Sequence, residues 1–344
     1  MQPGILLSNL NRFLWLFIVG FALNQCCLAQ ESNRSVPSGF FPSVDGARNA
    51  NEMLSRAFDL ELGQKPRRAA ARTDPKLYDR EADEQKIHPF GEITKLILMV
   101  RFRNHRDRDL PGRSDYEAIF NREGGHPEFA PAGSALDFSR EISYQQMSIH
   151  SLIVGWIDLP EDEQYYANGV AGTGDGNRMN EAVTFALNYV DENGLVDFRL
   201  LDRSGNRDGY ADLVGFVHSG YGAEWPTDDA DGVAPVDRIW SHQWRIPRWT
   251  SRRSGIRVAR YAFSSGLNGA TGSKPCRVGL LAHETSHLGD LPDLYDDTGT
   301  GIGAWGLMGY SEGFARSGYR PSHMSAWSKV ALNWVKPIDL KQSV

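Results

Sequence analysis

Two histidines, His283 and His287, stand four residues apart in Leu280-Leu281-Ala282-His283-Glu284-Thr285-Ser286-His287. On an α-helix that spacing stacks them one turn apart on the same face, so both imidazoles can reach one ion. Glu284 directly follows the first histidine. It points away from the shared face and is better placed to handle a water molecule than to bind metal. Two neutral nitrogens and a carboxylate oxygen suit Zn²⁺, which in hydrolytic sites takes three protein ligands and keeps a fourth position open. Water on such an ion becomes acidic enough to give its proton to Glu284 as general base.

A third ligand must come from beyond the helix. If the helix continued, Asp293, six residues past His287, would be rotated by about 240° and displaced by about 9 Å. The helix must therefore stop near Leu288. Gly289 can take the left-handed conformation that ends helices, and Pro292 prevents resumption. A chain turning back there brings Asp293 to the ion. Asp296 on the same returning segment and the more distant Glu312 are its rivals.

This stretch resembles the immune inhibitor A family of secreted metallopeptidases. That family shares H-E-x-x-H-x-x-G-x-x-D, often ending Leu-Pro-Asp-x-Tyr-Asp, which Leu291-Pro292-Asp293-Leu294-Tyr295-Asp296 matches. Where the family has glycine this chain has Asp290, and its glycine lies one place earlier, at Gly289. The resemblance runs from about Lys95 to Pro337 and includes Gly155–Pro160, Ile239–His242, Trp305–Met308 and Ser325–Lys329. It implies an α+β, metzincin-like zinc-peptidase catalytic domain. Such a domain has a twisted mixed β-sheet, an active-site helix and a smaller C-terminal helical subdomain. The metzincin grouping also implies a methionine-bearing turn beneath the metal, for which Met308 is the candidate; an ordinary core methionine is the other reading of that residue.

The first 29 residues read as a secretory signal peptide. Arg12 precedes the apolar run Phe13–Leu23, and Cys27-Leu28-Ala29 offers small residues at a cleavage site. The run is too short to span a bilayer comfortably, so no stable membrane anchor is expected. Lipid attachment at Cys26 is disfavoured by Leu23-Asn24-Gln25. Loss of the signal leaves Cys276 as the one cysteine, so stability must come from packing or bound ions. Cys276 reads as a small buried hydrophobe. The formal net charge of −6 gives no reason to expect nucleic acid as a partner. A secreted monomer acting on a protein or peptide substrate is expected.

Residues 30–90 are polar, with a helical pattern at Ala47–Leu62, and read as a prosegment or linker; residues 91–344 read as the catalytic domain. Within it, Leu96–Val100, Ser151–Ile157 and Asp212–His218 are apolar runs that read as buried strands. Ile256–Phe263, interrupted by Arg257 and Arg260, suits a strand nearer the sheet edge. Met179, Ala182, Val183, Ala186, Leu187 and Val190 recur at helical spacing up to Asn193-Gly194. Pro321 is expected to open a last helix with the stripe Met324, Trp327, Ala331 and Trp334, stopped by Pro337. His218 and His242 read as structural histidines.

A second motif, Asp202-Arg203-Ser204-Gly205-Asn206-Arg207-Asp208-Gly209-Tyr210-Ala211-Asp212, resembles a calcium loop. Asp202, Ser204, Asn206, Asp208 and Asp212 are the candidate Ca²⁺ ligands, alternating oxygens around a turn-forming glycine. The competing reading is an Asx-rich turn before a strand. For the protein as a whole, a secreted zinc endopeptidase is the leading expectation. A catalytically inactive zinc- or calcium-binding module, or a zinc hydrolase using a distant glutamate, are the alternatives.

Overall fold

A computed structural model of the chain describes residues 87–173, 176–205, 207–295, 301–309 and 318–338. All belong to the second of the two units into which the chain divides, Gly39–Val344. The expected signal peptide, Cys26, Cys27, the Ala47–Leu62 helix, Asn206, Asp296 and Glu312 lie outside the described residues.

In chain order the principal elements are β1 (Gly91–Arg101), α1 (Arg113–Phe120), α2 (Ala135–Ile142), β2 (Met147–Asp158), α3 (Glu163–Ala167) and α4 (Met179–Glu192). There follow β3 (Leu213–Tyr221), β4 (His242–Thr250), β5 (Arg257–Leu267), α5 (Val278–Leu288) and α6 (Ala326–Ala331). The strands form one mixed sheet in the order β2-β1-β3-β5-β4. β1 pairs parallel with β2 and β3, β3 pairs parallel with β5, and β4 closes one side antiparallel to β5.

The continuous apolar run of β1 follows from burial on both faces. Leu96, Leu98 and Val100 pack with α4, through Val183, Ala186 and Leu187. Ile93, Ile97 and Met99 point the other way, towards α1, α2 and α5, through Tyr116, Phe138 and Leu281. This second face carries the histidine helix. Ser134 caps α2 in reciprocity with Asp137: its hydroxyl accepts from the Asp137 amide while that carboxylate accepts from its own amide.

Three expectations need correction. The Ser151–Ile157 run, read as a buried strand, lies in β2 at one edge of the sheet, and of its residues Ile153 and Ile157 are buried while the others are half-buried. The Ile256–Phe263 segment is not marginal, because β5 has β3 on one side and β4 on the other. Its arginines do not mark an exposed edge: Arg260 is 5% exposed and ion-paired. The edge on that side is β4, whose Pro247 removes a ladder donor next to a shift in register between Arg245 and Trp249. The last helix does not start at Pro321 either. It begins at Ala326, where the Ser325 hydroxyl accepts from the Ser328 amide, and it ends at Ala331. Met324 and Trp334 are buried, but they flank the helix instead of forming its stripe.

Candidate metal centre

α5 carries His283, Glu284 and His287 into the interior; all three are buried, as is Asp293. The helix ends at Leu288, as the third-ligand argument requires, but the turn is made differently. Gly289 has φ −83°, within the ordinary right-handed range. The left-handed residue is Asp290, at φ +62°. Its amide still donates to the His287 carbonyl (3.0 Å). Its carboxylate Oδ1 accepts from Arg260 Nη1 of β5 at 2.5 Å. An aspartate thus takes the conformation that a glycine would hold without strain, and a buried arginine holds it there.

The reversal brings three donor atoms together. Asp293 Oδ1 lies 3.1 Å from His283 Nε2 and 3.4 Å from His287 Nε2, and the two Nε2 atoms are 3.2 Å apart. Among the described residues this is the one group of three or more such side chains close enough to share a metal ion. The opposite nitrogens are anchored by carbonyls. His283 Nδ1–H donates to Leu307 O and His287 Nδ1–H to Leu291 O, each at 2.8 Å. A carbonyl can only accept, so each Nδ1 carries the hydrogen and each Nε2 presents its lone pair inward. Two lone pairs and a carboxylate oxygen converging in a buried space repel one another unless a positive charge lies between them. Their separations match the edge of a tetrahedron with arms of 2.0–2.1 Å, about 3.3 Å. The residues therefore fit a tetrahedral divalent ion. Where no ion lies between them, a proton on Nε2 takes its place, and the titration of the groups follows that protonated state. Burial alone would raise Asp293, but the positive charge of His287 and hydrogen bonds from both imidazoles hold it far below the usual carboxylate range. Burial alone would lower His287, and Asp293 instead raises it.

Glu284 is beside this triad without belonging to it. Burial pushes its carboxyl up to about 8, against the opposing pull of His283. The Met308 segment is tied to both halves of the centre. Leu307 supplies the carbonyl that orients His283, and Met308 O accepts from the Leu294 amide at 2.7 Å, next to Asp293. Met308 itself is 1% exposed and packs in the core shared with α5. The Tyr295 ring stands 6.4 Å from that of His283.

The other residues singled out from the sequence lie elsewhere. His218 and His242 are buried against Phe263, with ring separations of 5.5 and 5.8 Å. The Cys276 thiol is buried and pushed up to about 12 by that burial, so it stays protonated. In the calcium-like loop the carboxylates bond backbone amides. Asp212 accepts from the amides of Arg203 and Ser204, Asp202 from Gly209 and Asp208 from Tyr210, at 2.9–3.2 Å. That is the bonding of an Asx-rich turn. Sequence reading missed Arg260 and the carbonyls of Leu291 and Leu307. The arginine's alternation with apolar neighbours was the one available signal, and backbone carbonyls leave no trace in residue type.

Residues 121–336, more than half of the chain, match the family described as immune inhibitor A peptidase M6, catalytic domain. A pre-pro-metalloprotease of Vibrio cholerae serotype O1, PrtV, is 27% identical over 304 residues, covering 80% of this chain and 30% of that protein. Immune inhibitor A of Bacillus thuringiensis subsp. alesti is 24% identical over 307 residues, covering 73% of this chain and 42% of that protein. The chain thus spans less than half the length of the curated relatives it matches.

Proposed function

Because the chain belongs to the immune inhibitor A peptidase family (M6), we propose that it is a secreted, zinc-dependent endopeptidase. His283, His287 and Asp293 hold the ion and Glu284 is the general base. The observation that carries this reading is the inward convergence of two Nε2 atoms and one carboxylate oxygen at 3.1–3.4 Å. A structural zinc site would be closed by a fourth protein ligand; three ligands with an adjacent carboxylate suit a hydrolytic one.

When bound, the ion supplies Lewis acidity, polarising the scissile carbonyl and making water acidic near neutrality. Glu284 takes the proton from the water whose oxygen attacks the carbonyl carbon, and then delivers it to the departing amide nitrogen as the C–N bond breaks. Its burial supports both roles, since a carboxylate in a dry setting holds a proton more firmly than one in water. The Leu307 and Leu291 carbonyls keep both imidazoles in the tautomer that binds metal. Among the described residues no helix is long and apolar enough to cross a membrane. A signal peptide over 1–29, a prosegment over 30–90 and a catalytic domain over 91–344 complete the proposal.

The test is hydrolysis of casein and of an internally quenched peptide by the purified protein, before and after 1,10-phenanthroline, with zinc restored afterwards. Activity should disappear with the metal and return with it. Protein carrying one zinc per chain that cleaves neither substrate would overturn the proposal, as would activity indifferent to chelation.

A further inference from the structure

The face of α5 turned away from the two histidines forms one wall of a cavity of about 70 Å³, through Leu281, Ala282, Thr285, Ser286 and Gly289. The remaining lining is mostly apolar and includes Phe120, Phe138, Ile142, Met147, Leu332 and Trp334. One charged side chain reaches this space, that of Lys95 on β1, and it is 4% exposed. Its Nζ donates to Thr285 Oγ1, whose own hydrogen is committed to the Leu281 carbonyl. Among the described residues no carboxylate lies within ion-pairing distance of Lys95, and its Nζ stands 5.6 Å from the centroid of the Phe120 ring. The neighbouring strand makes room for the stem: a Cβ on Gly215 would come within 3.0 Å of Lys95 Cε.

A buried ammonium with no carboxylate in ion-pairing range among the described residues is costly, and an ammonium has three hydrogens to donate, of which Thr285 takes one. Burial lowers the Lys95 amine to about 7 despite the opposing pull of Glu284, so an arriving anion would restore its full charge. The apolar walls exclude a strongly hydrated anion such as phosphate. A cavity of about 70 Å³ holds roughly five to seven waters at about 10–15 Å³ each, which limits the guest to about five to seven heavy atoms. We propose that this cavity is a binding site for a short apolar carboxylate of roughly three to five carbons. The acid group would sit on Lys95 and the hydrocarbon against α2 and the back of α5. The site is separate from the donor triad and does not rest on the peptidase reading.

Pentanoate is the probe, titrated into the full-length protein as isolated and followed by calorimetry and thermal unfolding, with pentylamine and 1-pentanol as comparisons. Pentanoate should bind saturably and raise Tm, pentylamine should do neither, and pentanol should bind at least tenfold more weakly. Lys95→Met should remove the advantage of pentanoate over pentanol. Ala135→Leu, which fills the cavity from α2 without touching the amine, should abolish binding of both and provides the test if Lys95→Met fails to fold. No saturable pentanoate binding, equal binding of pentanol, or undiminished binding by either variant overturns the proposal.

Discussion

Asp290→Gly separates two forces acting on the turn that delivers Asp293. The substitution restores the glycine of the family pattern and removes a non-glycine residue from φ +62°. A left-handed L-residue costs about 1–2 kcal/mol, less for aspartate. Glycine gives back roughly 0.5–1 kcal/mol through the added freedom of the unfolded chain, so the backbone terms nearly cancel. What remains is the bond to Arg260, 2.5 Å long, between an arginine side chain 6% exposed and a carboxylate 62% exposed. A charge-assisted hydrogen bond contributes about 1.5–3 kcal/mol; discounted for the exposed carboxylate, about 1–2 kcal/mol is lost. In a domain of this size that lowers Tm by about 3–6 °C. Loosening the segment that presents Asp293 should weaken zinc binding by about tenfold or more. Thermal unfolding of metal-free and zinc-loaded protein, with a competitive zinc titration against a chromophoric chelator, measures both quantities. Asp290→Asn, which tolerates the left-handed region and still accepts a hydrogen bond, should fall between the two. If Asp290→Gly unfolds at the same or a higher temperature and binds zinc as tightly, strain outweighs the ion pair and Arg260 is not what holds the turn.

Glu284→Gln should retain zinc by atomic absorption and lose peptidase activity by about 10²-fold or more; near-full activity would remove Glu284 from its role as base. Asp293→Ala should abolish zinc binding and Asp296→Ala weaken it at most, as read by equilibrium dialysis, and the reverse order would transfer the ligand role to Asp296. Glu163 is fully buried beside His105 and His218, and burial raises its carboxyl to about 8. Because its folded value exceeds the unfolded one near 4.5, the cost of ionising it is absent below about pH 4.5 and complete above about 8. At that limit it approaches about 5 kcal/mol. Glu163→Gln should accordingly raise Tm relative to the parent at pH 8–9 and leave it unchanged at pH 4.5; a pH-independent difference would refute the burial argument. Asp208→Ala should lower Tm in calcium-containing buffer and leave the zinc content unchanged; if calcium shifts the Tm of neither protein, the loop is a turn held by its own amides and no more.

Local chemistry was legible in the residues themselves. The spacing of His283 and His287 requires one helical face, the geometry of a helix forbids it from reaching Asp293, and Pro292 prevents it from resuming. Continuous apolar runs at Leu96–Val100 and Asp212–His218 imply strands covered on both sides, and both lie in the middle of the sheet. Each of these depends on periodicity and backbone sterics within a few residues, which one sequence contains in full.

The tertiary structure decided what depends on partners far away in the chain. Which residue of Gly289-Asp290 turns left-handed could not be read locally, because glycine is the easier choice and the deciding bond comes from Arg260, thirty residues earlier. The rank of β5 within the sheet depends on β4 pairing outside it, a strand that Pro247 disguises. The inward lone pairs of the two histidines depend on the carbonyls of Leu291 and Leu307, groups that every residue carries and that only folding can aim. Lys95, an unremarkable polar break in an apolar strand, becomes a buried amine at a cavity because the back of α5 packs over it. A linear sequence states which groups exist; the distances that make two imidazoles and a carboxylate into one site are set by packing between segments that the sequence keeps apart.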